Sequence, residues 1–254
     1  MLRKRLIGVV TVRDGWGVQS FGYSRWLPLG RPEVLVQNLD RWGVDEILLQ
    51  CIDRSRGRLG PDMALLARIG RVGLATPLIY AGGIATVEHA SAVVNAAADR
   101  IVVDSLLHDD LTTVKAISRH LGAQAVIAAL PVAHTDHGLR WLDHRDASAK
   151  PLPAPLLELI RDGVISETML IDWQSEGNPR GFDMRLVDRF PVAEVPLIAF
   201  GGLSESAQHR QLFSSPRIAA TAVGNFFAYR EHAVQTLKTA LAGLPVRRAR
   251  YAGA

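Results

Sequence analysis

The chain has 254 residues, 48% of them hydrophobic, a formal net charge of +4 and a single cysteine, Cys51. That length and apolar content exclude a disordered chain and leave room for one large α/β domain or two smaller ones, while a lone thiol excludes an internal disulfide framework. The start MLRKRLIGVVTVRDG has about seven apolar residues before Arg13 and Asp14, too few for a signal peptide, and no run reaches the ~18 apolar residues of a membrane span, so a soluble cytoplasmic protein is expected.

In chain order, short β-branched apolar runs predict strands near 5–12, 45–52, 77–81, 100–104, 124–131, 166–173, 196–200 and 218–224. Between them PEVLVQNLDRWG, PDMALLARIGRVG, VEHASAVVNAAA, LTTVKAISRHLG, APLLELIRDGV, DMRLVDRF and SAQHRQLFSS space their apolar residues by three and four, as helices do. Eight strand-then-helix units in this length predict a closed (β/α)8 TIM barrel, with a doubly wound sheet as the alternative. The tail beyond residue 240 carries Arg247, Arg248 and Arg250. Without interleaved aromatics it reads as a solvated terminus rather than a nucleic-acid contact.

One stretch occurs twice. TPLIYAGGI covers residues 76–84 and VPLIAFGGL covers 195–203. Laying residues 1–122 over 123–240 also matches Glu46 to Glu167 and Asp104-Ser105 to Gly224-Asn225, at offsets of 121 and 120 against 119 for the glycine pairs. Four βα units used twice close naturally into an eight-fold barrel of approximate two-fold symmetry, so residues 1–254 are treated as one domain built of two half-barrels and a short basic tail. In such a barrel Gly82-Gly83 and Gly201-Gly202 fall at the C-terminal strand ends. There the missing Cβ atoms let backbone N–H groups approach an anion and a following helix adds its dipole. Asp104, Ser105, Gly224 and Asn225 complete two expected phosphate cradles, although the charge on Asp104 opposes a phosphate. The substrate expected is a sugar carrying anionic groups at both ends, or a nucleotide-linked sugar.

Several segments together, namely MLRKRLIGVVTVRDG, GVDEILLQCIDRS, PLIYAGGI, DRIVVDS, SEGNPRGFD, PLIAFGGL and FFAYRE, resemble the cyclase subunit of imidazole glycerol phosphate synthase over nearly the whole chain. The resemblance implies a barrel that docks a glutaminase on its floor and passes ammonia through its interior to the opposite rim. It implies a floor gate of Arg5, Glu46, Arg100 and Glu167, with Arg100 in place of the family's usual lysine, and it adds Gly177 to the phosphate-binding set. The family's two catalytic aspartates are replaced by Thr11 and Pro131, which cannot serve as carboxylate acids or bases. The family's acidic residue at the second strand end is replaced by Cys51, its loop lysine by Gln19, and the aspartate after the sixth strand by Glu176. Histidine-pathway ring closure should therefore be impaired, as in bacterial relatives that lack the first aspartate and aminate surface-polysaccharide sugars with a glutaminase partner.

If the chain is catalytic, the expected proton carriers are Glu176 and then Asp53, two residues beyond Cys51 and so on its side of an extended strand end, with Thr11 positioning substrate. Asp14 is expected to organise the turn after the first strand, and Cys51 to be a packed or mouth-lining thiol. The histidines of VAHTDHGLRWLDHRDASAK invite a metal, but an irregular loop gives no rigid ligand geometry. That segment is read as an exposed excursion over the mouth with Trp141 as its anchor or as a substrate contact. No metal and no cofactor are expected. Three functions stay open: a glutaminase-dependent synthase subunit acting on a phosphorylated or nucleotide-linked sugar, the histidine-pathway cyclase itself, and a non-catalytic phosphosugar-binding regulatory subunit.

Overall fold

A computed structural model describes residues 3–229 and 232–247. Its elements, in order, are β1 (Arg5–Arg13), β2 (Trp16–Phe21), β3 (Arg25–Gly30), α1 (Pro32–Trp42), β4 (Glu46–Cys51), α2 (Met63–Gly70), β5 (Leu78–Ala81), α3 (Val87–Ala96), β6 (Arg100–Val103), α4 (Ser105–Asp109) and α5 (Leu111–Leu121). The second half continues with β7 (Val126–Thr135), β8 (Gly138–Asp143), β9 (Ser148–Lys150), α6 (Ala154–Arg161), β10 (Glu167–Asp172), α7 (Arg185–Asp188), β11 (Leu197–Phe200), α8 (Ser206–Ser214), β12 (Ile218–Val223), α9 (Asn225–Tyr229) and α10 (Ala233–Ala240).

Eight parallel strands, β1, β4, β5, β6, β7, β10, β11 and β12, follow one another around a sheet that closes where β12 pairs with β1 and β7 pairs with β10. The sheet closes because every strand alternates with period two. Ile7, Val9, Leu48, Ile79, Val102, Ile127, Met169, Ile171 and Ile198 pack together inside the barrel. Leu6, Val10, Ile47, Leu49, Ile101 and Leu170 pack outward against the helices. Burying each such side chain contributes about 1.5–3 kcal/mol. The helices answer with one apolar stripe each: α1 buries Val36 and Leu39, starts at a proline and stops at Gly43 in the left-handed conformation. In α5 Asp110 caps the N–H groups of Thr112 and Thr113, and Val114 and Ile117 face the sheet. The eight predicted strands and the single (β/α)8 barrel are present.

Two features were not expected. β1 continues past residue 12, turns over Asp14 and Gly15, both in the left-handed region, and pairs antiparallel with β2, which pairs with β3. Asp-Gly between paired strands is the strongest short-range hairpin signal. The segment after the fifth barrel strand is likewise not irregular: β7 runs on to Thr135 and forms an antiparallel meander with β8 and β9. Pro131 is tolerated inside β7 because it lies beyond the last β6 pairing at Ala128, where one side of the strand is free. Trp141 in β8 is buried and stacks on His108, with ring centroids 3.5 Å apart, so it anchors the meander.

The C-terminal helix α10 is fixed by the buried pair of Lys238 with Asp45, at 2.8 Å. Beyond it the Lys4 N–H donates to the Pro245 carbonyl and the Arg247 N–H to the Lys4 carbonyl, so the start of the tail lies along the barrel floor. Arg248 and Arg250, like Arg230 and Glu231 of the FFAYRE segment, lie outside the described residues.

Candidate functional site at the C-terminal rim

Both glycine pairs lie at the same rim, at the C-terminal strand ends. A cavity of about 680 Å³ is walled by Gln50, Asp53, Gly82, Gly83, Asp104 and Ser105 among others. A second, of about 340 Å³, is walled by Thr11, Glu176, Gly177, Gly201, Gly202, Gly224 and Asn225. The expected cradle residues thus separate into two cavities, one for each half of the chain.

The two glycine turns have the same backbone. Gly82 and Gly201 have φ of 133° and 110°, and Gly83 and Gly202 have φ of 70° and 74°. A Cβ on Gly82 would stand 2.5 Å from the carbonyl oxygen of Cys51, and one on Gly201 2.5 Å from that of Asp172, each the last residue of the preceding barrel strand. The pairs are therefore required by backbone conformation and close approach whatever they bind. The helices that follow the glycine turns are α3 and α8, of ten and nine residues, whereas α4 and α9, which follow the next strand ends at Asp104 and Gly224, have five residues each and contribute little macrodipole.

Around the first cavity the side chains are mostly paired with one another. Asp104 lies 3.2 Å from His144 Nδ1. Burial works against a charge on His144, but the hydrogen bond and charge of Asp104 outweigh it and its pKa ends above the ordinary histidine value. Arg145 holds both Asp143 and Asp109, and its side-chain hydrogen bonds to Asp143 keep that carboxyl well below the usual range against the effect of burial. The Gly83 N–H already donates to Ser55 Oγ at 3.3 Å. Asp53 does border this cavity, but the strand ends at Cys51 and the chain turns, so the side of Asp53 is set by that turn rather than by strand alternation. Its carboxylate accepts the Asp14 N–H at 3.0 Å, so Asp53 steadies the turn between β1 and β2, while the Asp14 carboxylate accepts from Arg13 Nε at 3.2 Å. Cys51 packs in the outer core, and burial pushes its thiol up to about 12, which leaves it inert as a nucleophile.

Around the second cavity the β2–β3 hairpin covers much of what was expected to meet a phosphate. The Asn225 side chain donates to the Ser20 carbonyl at 2.7 Å and accepts the Ser20 N–H at 3.2 Å. A Cβ on Gly177 would lie 1.9 Å from the Ser20 carbonyl oxygen, so this glycine is needed for the hairpin to lie down. Glu176 is 3% exposed and accepts from Ser20 Oγ at 3.1 Å and the Tyr23 N–H at 3.2 Å. Burial raises its pKa, partly offset by those two donors. Thr11 ends the inward row of β1 and faces this cavity, apart from Asp53. Gln19 is buried within β2 rather than in a free loop.

The hairpin turn also inserts Tyr23, in the left-handed region at φ 53°, against the barrel-interior cluster. Its hydroxyl accepts from Gln50 Nε2 at 3.3 Å. Tyr23, Gln50 and Trp173 were not foreseen as rim residues, and His144 was expected only within an excursion over the mouth. Extending the alternation of Glu46 and Leu48 reaches Gln50, and that of Met169 and Ile171 reaches Trp173. Nothing local marks Tyr23.

Among the described residues no group of three or more His, Cys, Asp or Glu side chains gathers to hold a metal. The histidines of the β7–β8 segment diverge, His134 meeting Arg189 and His144 meeting Asp104.

At the opposite end of the barrel, Arg5, Glu46, Arg100 and Glu167 each begin a barrel strand. Arg5 pairs with Glu46 at 3.0 Å and with Glu167, and Arg100 pairs with Glu167 at 2.6 Å and approaches Glu46 at 3.7 Å, closing a four-membered ion ring. Burial works against a charge on Arg5, but the two carboxylates outweigh it and raise its pKa. Burial raises the pKa of Glu46 against the pull of Arg5 and Arg100.

A closed (β/α)8 barrel with two cavities at its C-terminal rim and an ion ring under its floor defines a class of protein that places its chemistry at one end of a duplicated strand-and-helix unit. The model of the family described as histidine biosynthesis protein matches residues 6–233. The chain belongs to that family. It is 28% identical to the imidazole glycerol phosphate synthase subunit HisF of Thermococcus gammatolerans, over 97% of this chain and 99% of that one. It is 26% identical to the subunit of the same name from Anoxybacillus flavithermus, over 94% and 96%. A putative imidazole glycerol phosphate synthase subunit hisF2 of Vibrio vulnificus is 25% identical, over 94% of this chain and 88% of that one. Among the described residues no helix is long and apolar enough to cross a membrane.

Proposed function

We propose that this chain is a synthase subunit that receives ammonia from a glutaminase docked beneath the barrel floor and uses it on a phosphorylated or nucleotide-linked sugar held at the C-terminal rim. The observation that carries this reading is the closed ring of Arg5, Glu46, Arg100 and Glu167 at the opposite end of the barrel from both cavities. Between ring and rim the interior is lined by Ile7, Leu48, Ile79, Ile127, Met169 and Ile198, a surface that favours neutral ammonia over ammonium because an unpaired charge is costly in apolar surroundings. Relatives over nearly the full length are named as subunits of a synthase, which supports a role within a complex. With Thr11 and Pro131 at the positions of the family's aspartates, the ring closure of the histidine pathway lacks its carboxylates, and a different acceptor is the better fit.

The test is to purify the chain with the glutaminase of its own organism and measure glutamine hydrolysis. The reading predicts a stable complex and hydrolysis that rises on complex formation; absence of both removes it. Growth of a cyclase-deficient host on histidine-free medium would instead point to the histidine-pathway cyclase.

One observation favours a second reading, a phosphosugar-binding regulatory subunit: the carboxylates of Glu176 and Asp53 are both engaged by the chain's own donors. If Glu176→Gln and Asp53→Asn leave product formation by the reconstituted pair unchanged, neither carries a proton and this second reading gains.

A further inference from the structure

We infer that Tyr23 is a stopper at the rim end of the barrel interior: its ring, set down by the turn between β2 and β3, separates the interior from the larger cavity. The interior is then closed by the ion ring at the floor and by one side chain at the rim. The purpose of such a stopper rests on the ammonia reading proposed above; its existence does not.

The interior ends beneath the larger cavity. Leu48, Ala81, Val102, Ala129, Met169 and Ile171 belong to the interior cluster and also border that cavity, whereas among the described residues only Phe200 and Ala222 of the cluster border the smaller one. Beside about 680 Å³ of open space, these six residues are each 8% exposed or less. Something therefore covers them. Among the described residues Tyr23 is the one partly buried hydrophobic side chain packed against the cluster, and it borders the same cavity.

The position is built rather than incidental. Tyr23 has φ of 53°, a conformation that a bulky residue keeps only where its surroundings enforce it. They do so from both halves of the barrel. The Glu176 carboxylate, in the loop after β10, accepts the Tyr23 N–H at 3.2 Å, and the Glu176 carbonyl accepts the Gly22 N–H at 3.1 Å. Gln50 in β4 donates to the Tyr23 hydroxyl at 3.3 Å. The backbone bonds fix where the ring starts and Gln50 fixes where it ends. Burial raises the pKa of Tyr23 well above the ordinary tyrosine value, and the nearby Glu176 charge adds to the rise. The hydroxyl therefore stays protonated at neutral pH and offers an arriving ammonia an uncharged partner that both donates and accepts.

The test is thiol labelling of the full chain in a Cys51→Ala background, with one cysteine introduced either at Ala129, which faces the interior, or at Ala128, its neighbour in β7 that faces the helices. With methyl methanethiosulfonate as the probe at neutral pH, Tyr23→Ala is expected to speed labelling of Ala129→Cys by about tenfold or more and to leave Ala128→Cys unchanged. Tyr23→Phe keeps the ring and should stay within about threefold of the wild type. Ala81→Cys repeats the interior measurement on β5 in case Ala129→Cys itself disturbs packing. Three results overturn the stopper: an interior rate that Tyr23→Ala does not move, an equal rise at both faces of β7 because the whole fold has loosened, or a Tyr23→Phe rate as fast as that of Tyr23→Ala. Labelling uses neither glutaminase nor glutamine, so a failure here leaves ammonia delivery to its own test, and a failure there removes the stopper's purpose but not the stopper.

Discussion

The two halves of this barrel agree at the floor and in the glycine turns and part company at the rim. Gly82-Gly83 and Gly201-Gly202 share backbone angles and the same approach to the preceding strand end, and Glu46 and Glu167 take matching places in one ion ring. Yet one rim ends in a carboxylate paired with a histidine, and the other in an amide and a glycine pressed against a hairpin. Backbone needs preserve what a duplicated half-barrel must have in order to close. Side chains at the rim are free to specialise.

The largest expected effect breaks the agreement at the floor. Glu167 pairs closely with both guanidiniums, whereas Glu46 holds Arg5 at 3.0 Å and meets Arg100 at 3.7 Å. Removing one member of a buried ion pair costs about 3–5 kcal/mol. Glu167→Ala is expected at that level in urea unfolding and Glu46→Ala below it; equal losses would mean that the ring is shared evenly. Next come Gly82→Ala and Gly201→Ala, each expected to lose about 1–3 kcal/mol from backbone strain and by similar amounts, since their surroundings match. A loss at one position alone would break the equivalence of the turns.

A smaller effect sharpens the contrast between the rims. Burial raises the pKa of Glu176 above 4.5, so its contribution to stability is fully present below the unfolded value and is lost as pH rises through the folded one. Hydrogen exchange at Ser20–Tyr23 should therefore quicken as pH rises from about 4.5 towards neutrality, after correction for intrinsic exchange, and Glu176→Gln should flatten that trend at a cost below about 1 kcal/mol. The smallest is a titration: His144, held up by Asp104, should titrate above an ordinary histidine by NMR and fall in Asp104→Asn. An unchanged value would mean that the pair does not form in solution.

The barrel was legible in the sequence because short β-branched runs such as LIGVV and IVV recur between segments whose apolar residues are spaced by three and four, and because PLIYAGG returns as PLIAFGG 119 residues later. Asp14-Gly15 carries the turn signal of the β1–β2 hairpin, but the segment after it lacks the β-branched run that marked the barrel strands. Strand-end position was enough to bring the glycine pairs and their neighbours to one rim, but strand alternation stops at Cys51, so the side on which Asp53 lies is set by the turn that follows. The partners of Glu176 and Asp104 were beyond reach: Ser20 and Tyr23, or His144, meet them across 156, 153 and 40 residues of chain, and only tertiary packing brings them together.

The most direct measurement of the central claim is glutamine hydrolysis by the glutaminase of the same organism, with and without this chain. The account predicts a stable complex and a rate that rises when it forms. No complex and an unchanged rate would contradict it.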